Sequence, residues 1–284
     1  KVDRWMEAGV MHAEYFAGIA KYDYIGLAHS IDEKSSIGFT AIRFAVDDIP
    51  NTTQLIDNNG NIDYDRISTF TAADYGFIFS YARKMPIEGM SVGGNVKVIH
   101  RRVGDFARSW GFGLDAGMQY ETKKDWKFGA VLRDATSTFN AWNINLSDAD
   151  RVVFEDTGND IPENSVEITL PKILTGINYS HNFNNKFSLT SELGIDFFFD
   201  GQRNALISSK VATLDPHIGV ELGVKNLFFV RAGFGNLQRE EIFDPSQNGQ
   251  TTTYQPNVGA GFNLKYFNID YAYTDIGDNS GAPY

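Results

Sequence analysis

Single charged side chains stand on the Gly-, Asn- and Thr-bearing side of segments whose other side, at every second position, is apolar. Lys97, Asp115, Lys127, Arg133, Glu192, Asp196, Glu221, Lys265 and Asp270 make up this set. The two signs are close to balanced. Balance points to mutual pairing across a filled interior, because a pore that sorts ions places one sign at its constriction. Leaving any of these charges buried and unpaired would be costly. The histidines, His12, His29, His100, His181 and His217, never stand at metal-ligand spacing with a second His or a Glu. No metal site is expected from them. Asp57-Asn58-Asn59-Gly60-Asn61, followed by Asp63 and Asp65, is oxygen-rich in the manner of a calcium loop, but the closing Glu is missing. The acidic pairs Glu155-Asp156 and Glu240-Glu241 fall in long connections, where solvated charge is the default and acid–base chemistry would need a dry, shaped pocket.

No Ser/His/Asp arrangement, phosphate-cradling glycine loop or nucleotide fingerprint occurs. The glycines alternate within extended segments, where their role is steric. No catalytic centre and no cofactor are expected. With 0 cysteines, disulfides and thiolate metal sites are excluded. A net charge of −11 argues against nucleic acid as a partner, since phosphate contacts need clustered Lys and Arg.

The elements that would position the charged set are β-strands. Phe112, Leu114, Ala116, Met118 and Tyr120 alternate with Gly113, Asp115, Gly117 and Gln119. Trp126, Phe128, Ala130 and Leu132 alternate with Lys127, Gly129, Val131 and Arg133. The same period of two runs through 189–197, 217–224, 258–266 and 267–274. A soluble sandwich also alternates, so the aromatics carry the distinction. Tyr75, Tyr81, Tyr120, Trp126, Tyr179, Tyr266 and Tyr273 stand at or near segment ends, where an outer-membrane barrel places its interfacial girdles. No stretch approaches the roughly 20 uninterrupted apolar residues of a membrane-spanning helix. Aromatics at 14% and 27 glycines against 8 prolines suit many strands joined by tight turns.

Connection lengths alternate as in such barrels, with short turns at one end and longer connections at the other. Short turns are expected at 32–35, 84–89, 121–125, 182–186, 225–226 and near 266–267. Long polar connections are expected at 47–72, 103–109, 134–171, 200–215 and 236–256; the connection near 16–20 is short. This scheme gives roughly thirteen strands, one short of an even number. One closing strand is therefore expected beyond the sequence shown, because an open edge in lipid leaves backbone groups unpaired. Residues 1–284 are read as a single all-β domain, a transmembrane antiparallel barrel in the bacterial outer membrane, with any signal peptide already removed.

Gly93-Gly94-Asn95-Val96-Lys97-Val98-Ile99, Gly111-Phe112-Gly113-Leu114-Asp115-Ala116-Gly117 and Asp270-Tyr271-Ala272-Tyr273-Thr274-Asp275-Ile276-Gly277-Asp278 together resemble the PorV/PorQ family of Bacteroidota outer-membrane proteins. The resemblance runs from about Val10 to Asp278. It implies a barrel similar to the fatty-acid transporter FadL, with fourteen strands and an upstream plug-forming segment rich in glycine and asparagine; nothing of that composition precedes Val10. It also implies a non-catalytic component of the type IX secretion system that docks or shuttles exported cargo beside the translocon. On that reading the partners are outer-membrane lipid and a translocon subunit or secreted cargo protein. Ile56, Trp142, Val153, Phe154, Ile242 and Phe243, apolar residues within the long polar connections, are the candidate contacts. The alternative is a FadL-like channel for hydrophobic small molecules. The run Phe197-Phe198-Phe199 reads as an interface anchor in preference to a lipid-substrate contact.

Overall fold

A computed structural model describes residues 5–56, 60–184, 186–241, 249–264 and 266–274. Strand occupies 69% of it, and all the pairings are antiparallel. No helix among the described residues is long and apolar enough to cross a membrane. The chain is an all-β protein, and its contacts cluster in two units.

The first unit comprises Lys1–Arg83, Gly93–Asp115 and Asp134–Thr169. Strands β1 (Met6–Tyr15), β2 (Ala20–Ser30), β3 (Ser35–Asn51) and β4 (Ser68–Lys84) follow one another as antiparallel neighbours. β5 (Met90–Val103) and β6 (Ala107–Glu121) continue the path. Val10, Ile25, Ala41 and Phe77 align in one row and Ala8, Leu27, Phe39 and Phe79 in the next, so one face is apolar. Between Val46 and Ile49 the β3–β4 register slips by a bulge, where Asp48 takes φ 57°. β6 also pairs, through Ala107–Phe112, with β8 (Thr138–Ile144), and β8 pairs with β9 (Ser165–Thr169). A helix, α1 (Asp148–Asp156), lies between β8 and β9.

The second unit comprises Lys84–Val92, Ala116–Arg133 and Leu170–Tyr284. Its path runs from the end of β6 through β7 (Trp126–Arg133), β10 (Lys172–Asn182), β11 (Phe187–Phe198), β13 (Thr213–Val224), β14 (Phe228–Glu241) and β15 (Gln250–Asn263) to β16 (Asn268–Thr274). The two-residue β12 (Ile207–Ser208) pairs with β13 off this path. Thirteen strands lie on the two paths, with β6 common to both, in agreement with the number read from alternation. Phe128, Ile177, Leu193, Ile218 and Phe234 align across five strands, all on one face.

The connections expected to be long are partly strand. β3 and β4 extend to Asn51 and Ser68, β14 reaches Glu241, and β15 starts at Gln250. Thr251, Thr252 and Thr253 show why the pattern failed there: polar residues on both faces produce no alternation, although β-branched Thr favours the extended backbone. The span 134–171 holds β8, α1 and β9 in place of an irregular loop. Ser147 caps α1 in a reciprocal capping box with Asp150, a Ser-x-x-Asp signal ahead of Val152-Val153-Phe154 that was present in the sequence.

The described residues contain almost no buried apolar side chain. Buried hydrophobic positions are Ala20, Ala45 and Ala73, whereas Val10, Ile25, Phe79, Trp110, Phe112, Leu193, Ile218, Leu222 and Val258 are exposed. The buried polar set is larger, and includes Lys97, Ser109, Asp115, Asp134, Thr138 and Asn140. This inverts the arrangement of a water-soluble domain.

Candidate functional site

In the first unit the polar face is organised around Lys97. Alternation places Asn95, Lys97 and Arg101 on one side of β5, and Ser109, Gly111, Gly113 and Asp115 on one side of β6. Lys97 Nζ lies 2.7 Å from Asp115 Oδ1 and also bonds Asp134. Asp115 accepts further hydrogen bonds from Asn95 Nδ2 at 3.1 Å and from the Asp134 backbone N–H at 2.9 Å. Thr138 Oγ1 donates to Asp134 at 2.5 Å. The three charged side chains are at most 10% exposed. A cluster this dry is tenable because every charge has an opposite charge or a donor beside it. Gly113 makes room for it: a Cβ there would stand 2.0 Å from Thr138 Oγ1.

A second network lies further along the same face. Arg101 Nε donates to Asp74 at 2.9 Å and Nη1 to Glu167 at 2.8 Å. Its guanidinium sits 5.0 Å from the centroid of the Trp142 ring, and Trp142 Nε1 donates to Glu167 at 3.0 Å. The β8–β9 hairpin is thereby tied to β4 and β5. Trp142, a candidate partner contact by sequence, is engaged inside the fold. Asp74, Arg101, Asp134 and Glu167 were not singled out from the sequence. Arg101 and Asp74 carry the same period-2 signal as Lys97, whereas Asp134 stands at a turn with φ 54° that alternation does not reach.

In the second unit the polar face holds a cavity of about 600 Å³ walled by Asn178, Thr190, Glu192, Asp215, His217, Glu221, Arg231 and Asn257. Glu192 and Glu221 come from the sequence-derived set. Arg231, absent from that set, joins two of its members: Nε donates to Glu221 at 2.5 Å, and Nη1 bonds Asp270. Asp196 stands directly opposite Asp215 in the β11–β13 ladder. Asp215 Oδ1 is buried and accepts no hydrogen bond. Lys127 reaches Glu121 at 3.7 Å, and Arg133 lies exposed at the end of β7 opposite Lys172. Lys265 lies outside the described residues.

Of the remaining candidate contacts, Ile56 is 64% exposed and bridges to Ile62, while Val153 and Phe154 are half-buried on α1. Ile242 and Phe243 lie outside the described residues, as do Asp57, Asn58 and Asn59 of the oxygen-rich loop. Among the described residues no group of three His, Asp or Glu side chains could hold a metal ion. Phe198 does not stand alone as an anchor: it packs between Lys172 Nζ at 5.4 Å and the Arg203 guanidinium at 3.9 Å. Arg203 also donates from Nε to Asp200 at 2.8 Å. This bond holds the Asp200 carboxyl below its ordinary range and raises the guanidinium correspondingly.

No family model matches the chain, and no curated relative matches it. Among solved structures it is similar to a FadL homologue from Pseudomonas aeruginosa, at 13% identity over 89% of this chain and 69% of that one, with a TM-score of 0.48. It is similar also to the CymD monoaromatic hydrocarbon channel, at 14% identity over 95% and 81% of the two chains, with a TM-score of 0.48. A third is the FrpB iron transporter from Neisseria meningitidis, at 12% identity over 90% and 45%, with a TM-score of 0.44.

Proposed function

We propose that the chain is a non-catalytic outer-membrane β-barrel that accommodates a small solute along its polar face. The observation that carries this reading is the inverted distribution of polarity. In the first unit Lys97, Asp115 and Asp134 are buried on one face while Ile25 and Phe112 stand exposed on the other, and in the second unit Leu193, Ile218 and Val258 stand exposed on the face opposite Glu192 and Glu221. A band of exposed apolar side chains this extensive is unfavourable in water, and is what hydrocarbon requires of a strand-built wall. Near the connection at 16–19 the band ends in a charged row. His12 contacts Asp23 at 2.7 Å, Arg43 contacts Asp47 at 2.9 Å, and Lys21 contacts Asp47 at 3.5 Å. Charge on the outer wall is tolerated near the membrane interface, where its cost falls to about 0–1 kcal/mol.

The second unit's cavity offers Asn178, Thr190, Glu192, His217 and Asn257 as hydrogen-bonding groups beside apolar Ile218, Val220 and Phe234, a lining that supports the reading of a small solute with polar groups. Reconstitution tests this. Liposomes containing the protein are expected to swell in a sugar of low mass. Failure to swell, combined with uptake of an aromatic hydrocarbon, would favour the hydrophobic-channel form. Heat-dependent gel mobility in detergent is expected as well, and a chain that stays monomeric without detergent would remove the whole reading.

Docking of exported cargo beside a type IX translocon is the second reading. It rests on the PorV/PorQ-like blocks and on exposed apolar residues such as Ile56 and Val152 in the long connections. Co-purification of a secretion component with the detergent-extracted protein is its test, and loss of secretion on deletion is the expected companion.

A further inference from the structure

Three short turns of the second unit carry the strongest unassigned signal. The hairpins β6–β7, β10–β11 and β13–β14 close between Glu121 and Trp126, between Asn182 and Phe187, and between Val224 and Phe228. Backbone hydrogen bonds join them side by side: Ser180 N–H to the Asp125 carbonyl at 2.9 Å, and Lys225 N–H to the Lys186 carbonyl at 2.6 Å. The acids at this rim are already engaged. Glu88 meets Lys123 at 3.1 Å, Glu121 meets Lys127 at 3.7 Å, and Asp125 meets His181 at 3.5 Å. Lys124, Lys186 and Lys225 are exposed and have no ion-pair partner among the described residues. The rim therefore presents three ammonium groups in excess of the acids that face them.

Directly inward on the apolar face lies an aromatic ladder. Trp126 and Tyr179 have ring centroids 4.8 Å apart, Tyr179 and His181 6.1 Å, and His181 and Phe183 5.1 Å. A cleft of about 350 Å³ opens here between Thr122, Lys124, Trp126 and Phe128. Its wall is apolar apart from Lys124 and Thr122, whose hydroxyl is engaged with the backbone of Lys124 and Trp126. Trp126 is 43% exposed and Phe128 41%, so neither ring is used up in packing.

We propose that this rim binds an anionic phospholipid, with Lys124, Lys186 and Lys225 taking the headgroup phosphates and the Trp126–Phe128 cleft receiving an acyl chain. The inference rests on the barrel reading above and goes beyond it. A membrane wall needs only aromatic side chains at its boundary, whereas unpaired ammonium groups beside an apolar cleft select for negative headgroups. The occupant must be amphipathic, because free phosphate has no use for the cleft and a neutral lipid has no use for the lysines.

Native mass spectrometry of the full chain in detergent, supplied with phosphatidylglycerol and phosphatidylcholine in equal amounts, tests the inference. Retention of phosphatidylglycerol is expected to exceed that of phosphatidylcholine on the order of a hundredfold, because three lysines each contribute on the order of fivefold near a charged surface. The triple variant Lys124→Gln, Lys186→Gln, Lys225→Gln should bring the ratio near unity, and Trp126→Ala should lower retention of both lipids. Millimolar inorganic phosphate should leave the ratio unchanged; competition by it would mark a bare anion site and overturn the lipid assignment. Equal retention by the unaltered protein, or an unchanged ratio in the triple variant, would also overturn it. Heat-dependent gel mobility of each sample separates the two levels of failure. A heat-modifiable barrel without lipid preference loses only this inference, and a chain that is not heat-modifiable loses the barrel reading with it.

Discussion

Asp196 and Asp215 face each other across the β11–β13 ladder, two carboxylates directly opposed on the polar face. Like charges in that relation are destabilising, and Asp215 Oδ1 has in addition no hydrogen-bond donor. Asp215→Asn should therefore raise the thermal transition of the detergent-solubilised protein, by the equivalent of about 0.5–1 kcal/mol. A lowered transition would mean that the carboxylate has a partner essential to the fold.

Lys97 neutralises two buried carboxylates at once. Lys97→Met preserves much of the side-chain volume while leaving Asp115 and Asp134 facing each other without a cation. The expected loss is about 3–5 kcal/mol, read as a lower midpoint in urea. The double variant Asp115→Asn, Asp134→Asn in the Lys97→Met background should recover a large part of that loss.

Arg101 is the clamp of the β8–β9 hairpin through Asp74, Glu167 and Trp142. Arg101→Lys keeps the charge but cannot donate in two directions from a planar fork. Limited proteolysis should then cut between 145 and 164 faster than in the unaltered protein, while the transition temperature falls little. Equal cutting rates would show that the strand pairing of β8 with β6 suffices to hold the hairpin.

Gly89 takes φ 80°, and a Cβ there would stand 2.0 Å from the Glu121 carbonyl oxygen. Gly89→Ala combines an unfavourable backbone conformation with a collision against main chain that has no rotamer to yield. A loss of about 2 kcal/mol or more is expected in the unfolding midpoint. Gly129→Ala, where a Cβ would meet nothing within 4 Å, serves as the control.

Asp32 accepts from the backbone N–H groups of Lys34 at 2.7 Å and Ser35 at 2.6 Å, which holds its carboxyl below the ordinary range. A carboxyl depressed in the folded state contributes stability that is fully present above its unfolded pKa, about 3.9. That contribution is lost as pH falls through the lower folded value. Asp32→Asn should flatten this part of the acid-side stability profile while leaving the profile at neutral pH nearly parallel to that of the unaltered protein. An unchanged acid limb would show that the turn holds without the carboxylate.

Strand existence and face assignment were legible where alternation was strong. Phe112 to Tyr120 and Trp126 to Leu132 read correctly because every second residue is apolar, and the polar members Asp115 and Lys127 followed from parity alone. The partners of those charges were not legible. Lys97 and Asp134 are separated by 37 residues, and only the three-dimensional path through the corner at 134–137 brings them together. Arg231 was legible in principle, standing two residues from Gly233 on the glycine side of β14. It was missed because Phe229 occupies the same face and blurs the period. The outer segments of β14 and β15 were missed for a different reason: with polar residues in succession, Gln238-Arg239 in β14 and Thr251-Thr252-Thr253 in β15, extension is set by backbone pairing and not by a buried side.

Buried apolar packing is confined to three alanines among the described residues, while the interlocked contacts are ionic and hydrogen-bonded. Tolerance to substitution should follow the same inversion. Exchange of Ile218 for Leu or of Leu193 for Val meets only solvent-like surroundings and asks nothing of shape. Exchange of Asp for Glu at 115 or Arg for Lys at 231 must satisfy several fixed partners at once. A library of conservative replacements would then find its sensitive positions among the hydrophilic residues. The greasy exterior would drift freely as long as it stayed greasy.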